Sequence, residues 1–325
     1  MFENAGSCSK TAGHPNCSYS SADTMAAIAL KQQSLSAAAP TVEAQCAHQI
    51  SLLNHKSDTQ RRDSLAYLTT IISTHPPDSP LPQPASVIIP AIQRLVLDGS
   101  NAVRQQMLKL VQSLPKADIA SHTDSLLLHT RAGMTHLSND IRTFSLDLLE
   151  WLIGVAGDEV VSCSGGWVKT LKCFLSLLGW QVQNGSKWSA TKSFGKSSSD
   201  SKVQVKQMMT LATFLRAGLM QPKQPAVIES GGASFPLWQT EHHVLSERSN
   251  AFAHLNLFGA TRDEEAEMYE DREDRQRLFH DLAETAIAAG IEQATRGGGE
   301  LGRAGASLRK AMKEGMADFN GIEKA

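Results

Sequence analysis

The sequence predicts an all-α protein, an armadillo/HEAT-like helical-repeat solenoid with a C-terminal helical extension. Three similar segments in the first half support this prediction, because they recur at spacings of 42 and 38 residues, the period expected of HEAT or armadillo helix pairs. The segments align on Arg62, Arg104 and Arg142. Two further observations agree with it: an apolar stripe follows each arginine, and a polar turn precedes it.

The apolar stripe occupies the positions three, six and ten residues after each arginine, and eight of the nine positions are apolar. On a helix these offsets fall on one face. A single helix of this kind cannot bury its face alone, whereas stacked copies can, so the pattern indicates a solenoid. The nine positions are Leu65, Leu68, Ile72, Met107, Leu110, Leu114, Ser145, Leu148 and Leu152.

Each arginine-bearing helix is expected to be the second helix of a pair. Ser, Asp or Asn residues in the preceding turn supply its N-cap. Prolines follow the first two of these helices, and Gly154 and Gly157 are expected to end the third. The first helices of the three pairs are expected at 42–54, 87–97 and 123–137.

A fourth pair is expected at 165–180 and 203–219. A Lys- and Ser-rich insertion at 181–202 separates its two helices, and insertions of this kind map to one face of a solenoid, often the binding face. The segments outside the repeats are an N-terminal tail at 1–40, expected to be disordered, and a linker at 221–262 with little regular structure. The repeat domain is thus expected to span 41–220.

The C-terminal extension, 263–325, has an abrupt change in charge pattern. Its first part is strongly acidic and reads as an acidic helix that runs from about 263 to Gly290. A glycine-rich break at Gly297–Gly299 is expected to precede a last short helix at about 306–319.

Composition excludes several classes of protein. The formal net charge of −2 argues against a protein whose whole surface binds nucleic acid non-specifically, so any RNA contact must be local. The five cysteines are odd in number and form no C-x-x-C pair, which indicates neither a disulfide framework nor a zinc site. No nucleophile with its base, metal cluster or phosphate cradle appears at recognisable spacing, so we expect no catalytic residue, cofactor or metal.

Two groups of residues are candidate contacts for a partner or RNA. The acidic group could bind a basic partner, or it could be a solvated helix face. The group in the insertion mixes basic and aromatic side chains as RNA-contacting loops do, although flexible filler is an equal alternative. The acidic group comprises Glu270, Asp271, Glu273 and Asp274, and the insertion group comprises Lys187, Trp188, Lys192 and Lys196.

Particular strings carry a family resemblance. They are KQQSLS at 31–36, RAGMTHLSNDIR at 131–142, SGGWVKTLKCFLSLLGW at 164–180, FLRAGL at 214–219 and MYEDREDRQR at 268–277. With these strings the chain resembles the family of the fungal pre-rRNA-processing protein Ipi, first member, the short relatives of animal testis-expressed protein ten. The resemblance implies an armadillo/HEAT-like fold and no catalytic residue.

The resemblance also implies a role as a non-catalytic scaffold subunit of the nuclear Rix complex, or rixosome. Expected partners are a large helical scaffold subunit, a β-propeller subunit, and the pre-60S particle with its AAA ATPase. The implied processes are pre-60S assembly and removal of the second internal transcribed spacer of pre-rRNA, in the nucleolus and nucleoplasm. The repeats alone leave a transport or signalling adaptor of the armadillo type as the alternative.

The chain departs from the family pattern at its beginning. Relatives usually have a Lys-rich tail before the QSLS string, whereas Lys10 is the one Lys or Arg residue in 1–30. We expect 1–30 to be disordered, and a shifted gene-model start or an alternative first exon would explain the difference.

Overall fold

The structure, a computed structural model, describes residues 40–76, 80–180, 198–221 and 264–319. Every regular element in these ranges is helical, and the chain divides into two compact units, Met1–Gln45 and Cys46–Ala325. In chain order the α-helices are α1 Val42–Leu52, α2 Asp58–Thr74, α3 Ala85–Ile92, α4 Asn101–Ser113, α5 Lys116–Ser121, α6 Thr123–Met134, α7 Asn139–Ser162, α8 Trp167–Leu178, α9 Ser198–Leu219, α10 Arg272–Phe279, α11 Thr285–Gly297 and α12 Gly299–Gly315.

Shorter helical pieces lie between some of these helices. A 3₁₀ helix, Gln93–Leu97, extends α3, and another, Glu264–Ala266, precedes α10. A π-helical turn, His280–Glu284, joins α10 to α11. None of the helices in the described ranges is both long and apolar enough to cross a membrane.

The repeat helices stack through the predicted stripe. All nine stripe positions are buried, and consecutive second helices pack together, α2 on α4 and α7 on α9. The one polar stripe residue, Ser145, is accommodated because its hydroxyl donates to the Ile141 carbonyl at 2.8 Å. A Cβ on Gly133 would lie 2.0 Å from the Ser145 Oγ, so glycine permits the close approach of α6 to α7. The predicted all-α, armadillo/HEAT-like fold is confirmed.

The equivalent arginines differ from the predicted set at one position. Arg62 was the wrong anchor, because its side chain is exposed and pairs with Asp63. Arg61 takes its place, four residues after the N-cap Ser57, as Arg104 follows Ser100 and Arg142 follows Ser138. Each guanidinium donates to the carbonyl six residues earlier, at 2.8, 2.5 and 3.4 Å; these carbonyls belong to His55, Asp98 and His136.

Helix ends within the repeats differ from the predicted ones where packing overrides a local signal. The helix α7 does not stop at Gly154 or Gly157 but continues to Ser162, with a bend at Ala156, where φ is −138° and ψ is 49°. A glycine inside a helix costs only about 1 kcal/mol relative to alanine. That cost is small compared with the free energy gained when α7 is buried against both α6 and α9. The short helix α5 was not predicted, and α9 begins at Ser198, not at 203.

The predicted C-terminal helix boundaries need correction. The acidic stretch is not one helix from 263: a 3₁₀ turn at Glu264–Ala266 is followed by non-helical backbone, and α10 begins only at Arg272, after the N-cap Asp271. The last helix, α12, begins at Gly299 instead of 306. The core residues Phe279, Ile287 and Leu308 on these C-terminal helices belong to the same apolar cluster as the repeat helices.

Candidate partner-contact surface

The residues 264–274, here called the acidic segment, run along the turn between α7 and α8. The Ser164 hydroxyl donates to the Ala266 carbonyl at 2.5 Å, and the Gly165 amide donates to the Glu267 carbonyl at 3.2 Å. Gly165 has a φ of 66°, a left-handed conformation that favours glycine. The turn therefore holds the main chain of the acidic segment. Of the side chains, Glu265 pairs with Lys172 at 2.6 Å, whereas Glu270, Asp271 and Glu273 are exposed.

Arg275 fixes the middle of the acidic segment. Its side chain is 7% exposed, and its Nη1 donates to the carbonyls of Tyr269 and Glu270, both at 2.7 Å. Its Nε donates to the Gly218 carbonyl at the end of α9, at 2.9 Å. The Arg275 carbonyl in turn accepts a hydrogen bond from the Trp167 indole of α8 at 3.1 Å. One residue thus joins α8, α9, α10 and the acidic segment.

Arg275 repeats the geometry of the three repeat arginines. It lies four residues after the N-cap Asp271, and its guanidinium reaches the carbonyl six residues earlier. Sequence reasoning missed this residue. The available signal was a Ser or Asp N-cap followed four residues later by arginine, which occurs at Ser57–Arg61, Ser100–Arg104, Ser138–Arg142 and Asp271–Arg275.

The start of α10 is held by the C-terminal end of α12. Arg272 forms a bidentate ion pair with Asp318, with both N–O distances at 2.6 Å, and Gln276 donates to the Gly315 carbonyl at 2.7 Å. The hydrogen bonds from Arg272 lower the pKa of the Asp318 carboxyl to about 2. The carboxylate of Asp318 is therefore charged at all physiological pH values, so its pair with Arg272 keeps both charges under those conditions.

The predicted acidic residues lie on the outer side of this fixed main chain. Glu270, Asp271 and Glu273 are exposed, and Asp274 is half-exposed and pairs with Arg277 at 3.3 Å. These four carboxylates lie within five consecutive residues, so they are neighbours already in the sequence. Three of them, Asp271, Glu273 and Asp274, are at the N-cap or in the first turn of α10, where negative charge also stabilises the helix N-terminus.

An open depression of about 240 Å³ adjoins the acidic segment. It is lined by Asp158, Ser162, Met220, Glu270 and Arg275. Asp158 comes from α7 and was not among the predicted contacts. The two carboxylates of Asp158 and Glu270 outnumber the one guanidinium of Arg275 in this lining, and Met220 adds an apolar side chain. A net negative charge beside an apolar side chain is a suitable setting for a basic side chain with a long aliphatic stem.

The insertion group cannot be placed. Lys187, Trp188, Lys192 and Lys196 lie outside the described residues, so their predicted contact role stays a prediction. The same holds for the expected disorder of 1–30 and for most of the expected linker at 221–262.

The thiols and the possible metal ligands of the described residues complete the description of this surface. Burial raises the pKa of the Cys163 and Cys173 thiols to about 11, so neither is a ready nucleophile. Within the described ranges no group of three His, Cys, Asp or Glu side chains is arranged to hold a metal ion. Fold and surface together define a class, the helical-repeat proteins that carry on their surface a charged segment whose main chain is held by hydrogen bonds.

Comparison with known proteins identifies the family. Residues 117–215 match the family model of the Rix1 complex component involved in 60S ribosome maturation. The pre-rRNA-processing protein ipi1 of Aspergillus fumigatus is 50% identical over 304 residues, which cover 91% of this chain and 88% of that protein. The protein of the same name from Sclerotinia sclerotiorum is 48% identical over 304 residues, with 91% and 87% covered. The chain therefore belongs to the Ipi1 family of pre-rRNA-processing proteins, Rix1 complex components of 60S ribosome maturation.

Two further similarities are weaker. The Chaetomium thermophilum protein of the same name is 43% identical over 270 residues, with 81% of this chain and 78% of that protein covered. A chain of a solved Rix1–Rea1 pre-60S particle superposes with a TM-score of 0.44 at 21% identity, covering 68% of this chain and 76% of that chain.

Proposed function

We propose that this chain is a non-catalytic scaffold subunit of the Rix1 complex and that the acidic segment is one of its partner contacts. Its place in the complex follows from the family. The partners we propose are a large helical scaffold subunit, a β-propeller subunit, and the pre-60S particle with its AAA ATPase. The process is maturation of the pre-60S particle with removal of the second internal transcribed spacer, in the nucleolus and nucleoplasm.

One observation carries the contact proposal: the main chain of the acidic segment is held on both sides, while the side chains of Glu270, Asp271 and Glu273 are exposed. Ser164 and Gly165 hold its first half, and Arg275 holds its second half. A surface that is already ordered loses little conformational entropy when a partner binds. Exposed charges arranged on such a surface favour specificity and a fast association rate.

The experiment that tests the contact is a pull-down with charge-reversed variants. Glu270→Lys with Glu273→Lys should reduce recovery of the large scaffold and propeller subunits, because two carboxylates become repulsive toward a basic partner. Asp271 is left unchanged because it occupies the N-cap position of α10. The matched control is Asp63→Lys with Glu150→Lys, which makes the same charge change at exposed positions of α2 and α7.

The outcomes separate membership in the complex from the contact surface. Recovery of no Rix1 complex subunit by the unaltered chain would contradict the scaffold role. Equal recovery by both variants would leave the scaffold role intact and remove the acidic segment from it. Thermal unfolding of each variant should lie close to that of the unaltered chain, because all four positions are exposed and the favourable charge of Glu273 at the N-terminus of α10 contributes only about 0.3–1 kcal/mol. The insertion group, Lys187, Trp188, Lys192 and Lys196, is proposed as a second contact and can be tested in the same assay.

A further inference from the structure

The helix α12 has two different faces. Its inner face consists largely of small residues, and Ala304, Gly305, Leu308 and Ala311 are buried against α9 and α11. The small side chains allow close packing: a Cβ on Gly305 would meet the Cβ of Ala294 in α11 at 3.5 Å. The helix is therefore held as a rigid element, and its outer face has a fixed position.

The outer face of α12 is a basic ridge formed by Arg303, Lys310 and Lys313. All three residues are exposed, and Ala306, between the first two, is exposed as well. Positions seven and ten residues apart return to the same side of a helix. At a rise of about 1.5 Å per residue, the ridge extends for about 15 Å along the helix axis. The half-buried Arg309 adds a fourth positive charge beside it.

The charges of the basic ridge are available for binding. Arg303 and Lys313 form no ion pair within the part of the chain that the structure describes, and Lys310 has only a 3.7 Å contact with Glu314, in which both side chains are exposed. Exposed pairs of this kind are weak and are readily exchanged for another partner. By contrast, Arg272 and Arg275 of α10 are fully engaged by Asp318 and by backbone carbonyls.

We propose that the basic ridge binds the phosphodiester backbone of RNA. A phosphate backbone is recognised largely by positive charge and hydrogen-bond donors, without a need for apolar anchors. The ridge matches this chemistry, because the exposed large hydrophobic residues of the described ranges include none from α12. Protein interfaces instead depend on buried aromatic or large apolar anchors at their centres. This contact goes beyond the proposed scaffold role and does not depend on the acidic segment.

The ridge predicts a defined salt dependence. The logarithm of the binding constant falls with the logarithm of salt concentration by about 0.7 to 0.9 for each phosphate neutralised. Three contacts therefore give a slope of about −2 to −3, which weakens binding roughly 20- to 40-fold between about 50 and 200 mM salt. The contact carries no sequence information, so RNA of arbitrary sequence is a suitable probe.

The test is fluorescence anisotropy with the full chain and a fluorescein-labelled RNA hairpin of arbitrary sequence. The ridge variant is Arg303→Gln, Lys310→Gln and Lys313→Gln. Its matched control, Lys56→Gln, Lys109→Gln and Lys116→Gln, removes the same charge at exposed positions elsewhere. The ridge variant should bind about tenfold or more weakly at low salt, with a salt slope reduced by about 2 to 3, while the control retains most of the slope.

Three results would overturn the RNA contact. The first is an unchanged salt slope in the ridge variant. The second is an equal loss of RNA affinity in the control, which would mean that binding depends on the total charge of the protein and not on the ridge. The third is ridge-dependent binding of polyglutamate that RNA does not displace, which would make the ridge a protein contact. If the triple variant unfolds, Arg303→Gln alone should still lower the slope by about 0.7 to 0.9.

Discussion

Arg275→Met tests the residue that links the acidic segment to α8, α9 and α10. The substitution keeps an unbranched aliphatic side chain but removes the hydrogen bonds from the guanidinium to the carbonyls of Gly218, Tyr269 and Glu270. Hydrogen bonds to charged groups contribute about 1.5–3 kcal/mol each, and a buried acceptor left without a partner costs about 1–3 kcal/mol. The carbonyls of Tyr269 and Glu270 lie on a surface segment and can be rehydrated, whereas that of Gly218, in the buried part of α9, cannot.

The expected loss of unfolding free energy for Arg275→Met is therefore about 3 kcal/mol, a large share of the 5–15 kcal/mol typical of a domain. Urea denaturation followed by circular dichroism measures it, and amide hydrogen exchange should show faster exchange at 266–271. The control is Arg277→Met on the same helix, whose side chain is exposed and pairs with Asp274. It should change the free energy by less than about 0.5 kcal/mol. Equal stabilities for the two variants would refute the role assigned to Arg275.

Three further predictions address the fold. Leu148→Ala, at a fully buried stripe position, should lower the unfolding free energy by about 2–5 kcal/mol, and a denaturation midpoint close to that of the unaltered chain would mean the helix register is wrong. Gly133→Ala should destabilise by about 1–3 kcal/mol because its Cβ meets the Ser145 Oγ, and the double variant with Ser145→Ala should recover part of the loss. Because the pKa of Asp318 is lowered to about 2, its pair with Arg272 should stabilise the fold above about pH 4 and be lost as pH falls toward 2, a dependence that Asp318→Asn should remove from acid titrations.

The repeat helices were predictable because their signal is local. A stripe of apolar side chains at helical spacing requires burial whatever the helix packs against, and the structure buries all nine positions. The anchor error at Arg62 arose because residues at offsets of three and four, or six and seven, lie on the same side of a helix. An anchor moved by one residue, from Arg61 to Arg62, therefore gave the same apolar stripe. The hydrogen bonds that distinguish Arg61 from Arg62 depend on the turn geometry, which periodicity does not encode.

The sequence predicted that the acidic segment is a charged surface. It did not predict that hydrogen bonds fix its main chain. Its anchors, Ser164 and Gly165, lie about a hundred residues earlier in the chain, and a single sequence gives no measure of that pairing. The predicted helix from 263 failed for a related reason. Charge patterning identifies an exposed segment, but hydrogen bonds to the α7–α8 turn replace the helical ones at Ala266 and Glu267.

Glu270 is the most informative residue of the acidic segment because its charge has no role in helix stability. Asp271, Glu273 and Asp274 all lie where they favour the N-terminus of α10, so their presence is explained without a partner. Glu270 precedes the N-cap, its carbonyl is fixed by Arg275, and its side chain is exposed beside the depression that Asp158 also lines. The two carboxylates outnumber the Arg275 guanidinium that also lines this depression, so its net charge is negative, an arrangement that favours a positively charged ligand. Glu270→Gln alone should therefore weaken partner binding without changing the unfolding free energy, whereas Asp274→Gln should affect stability more than binding.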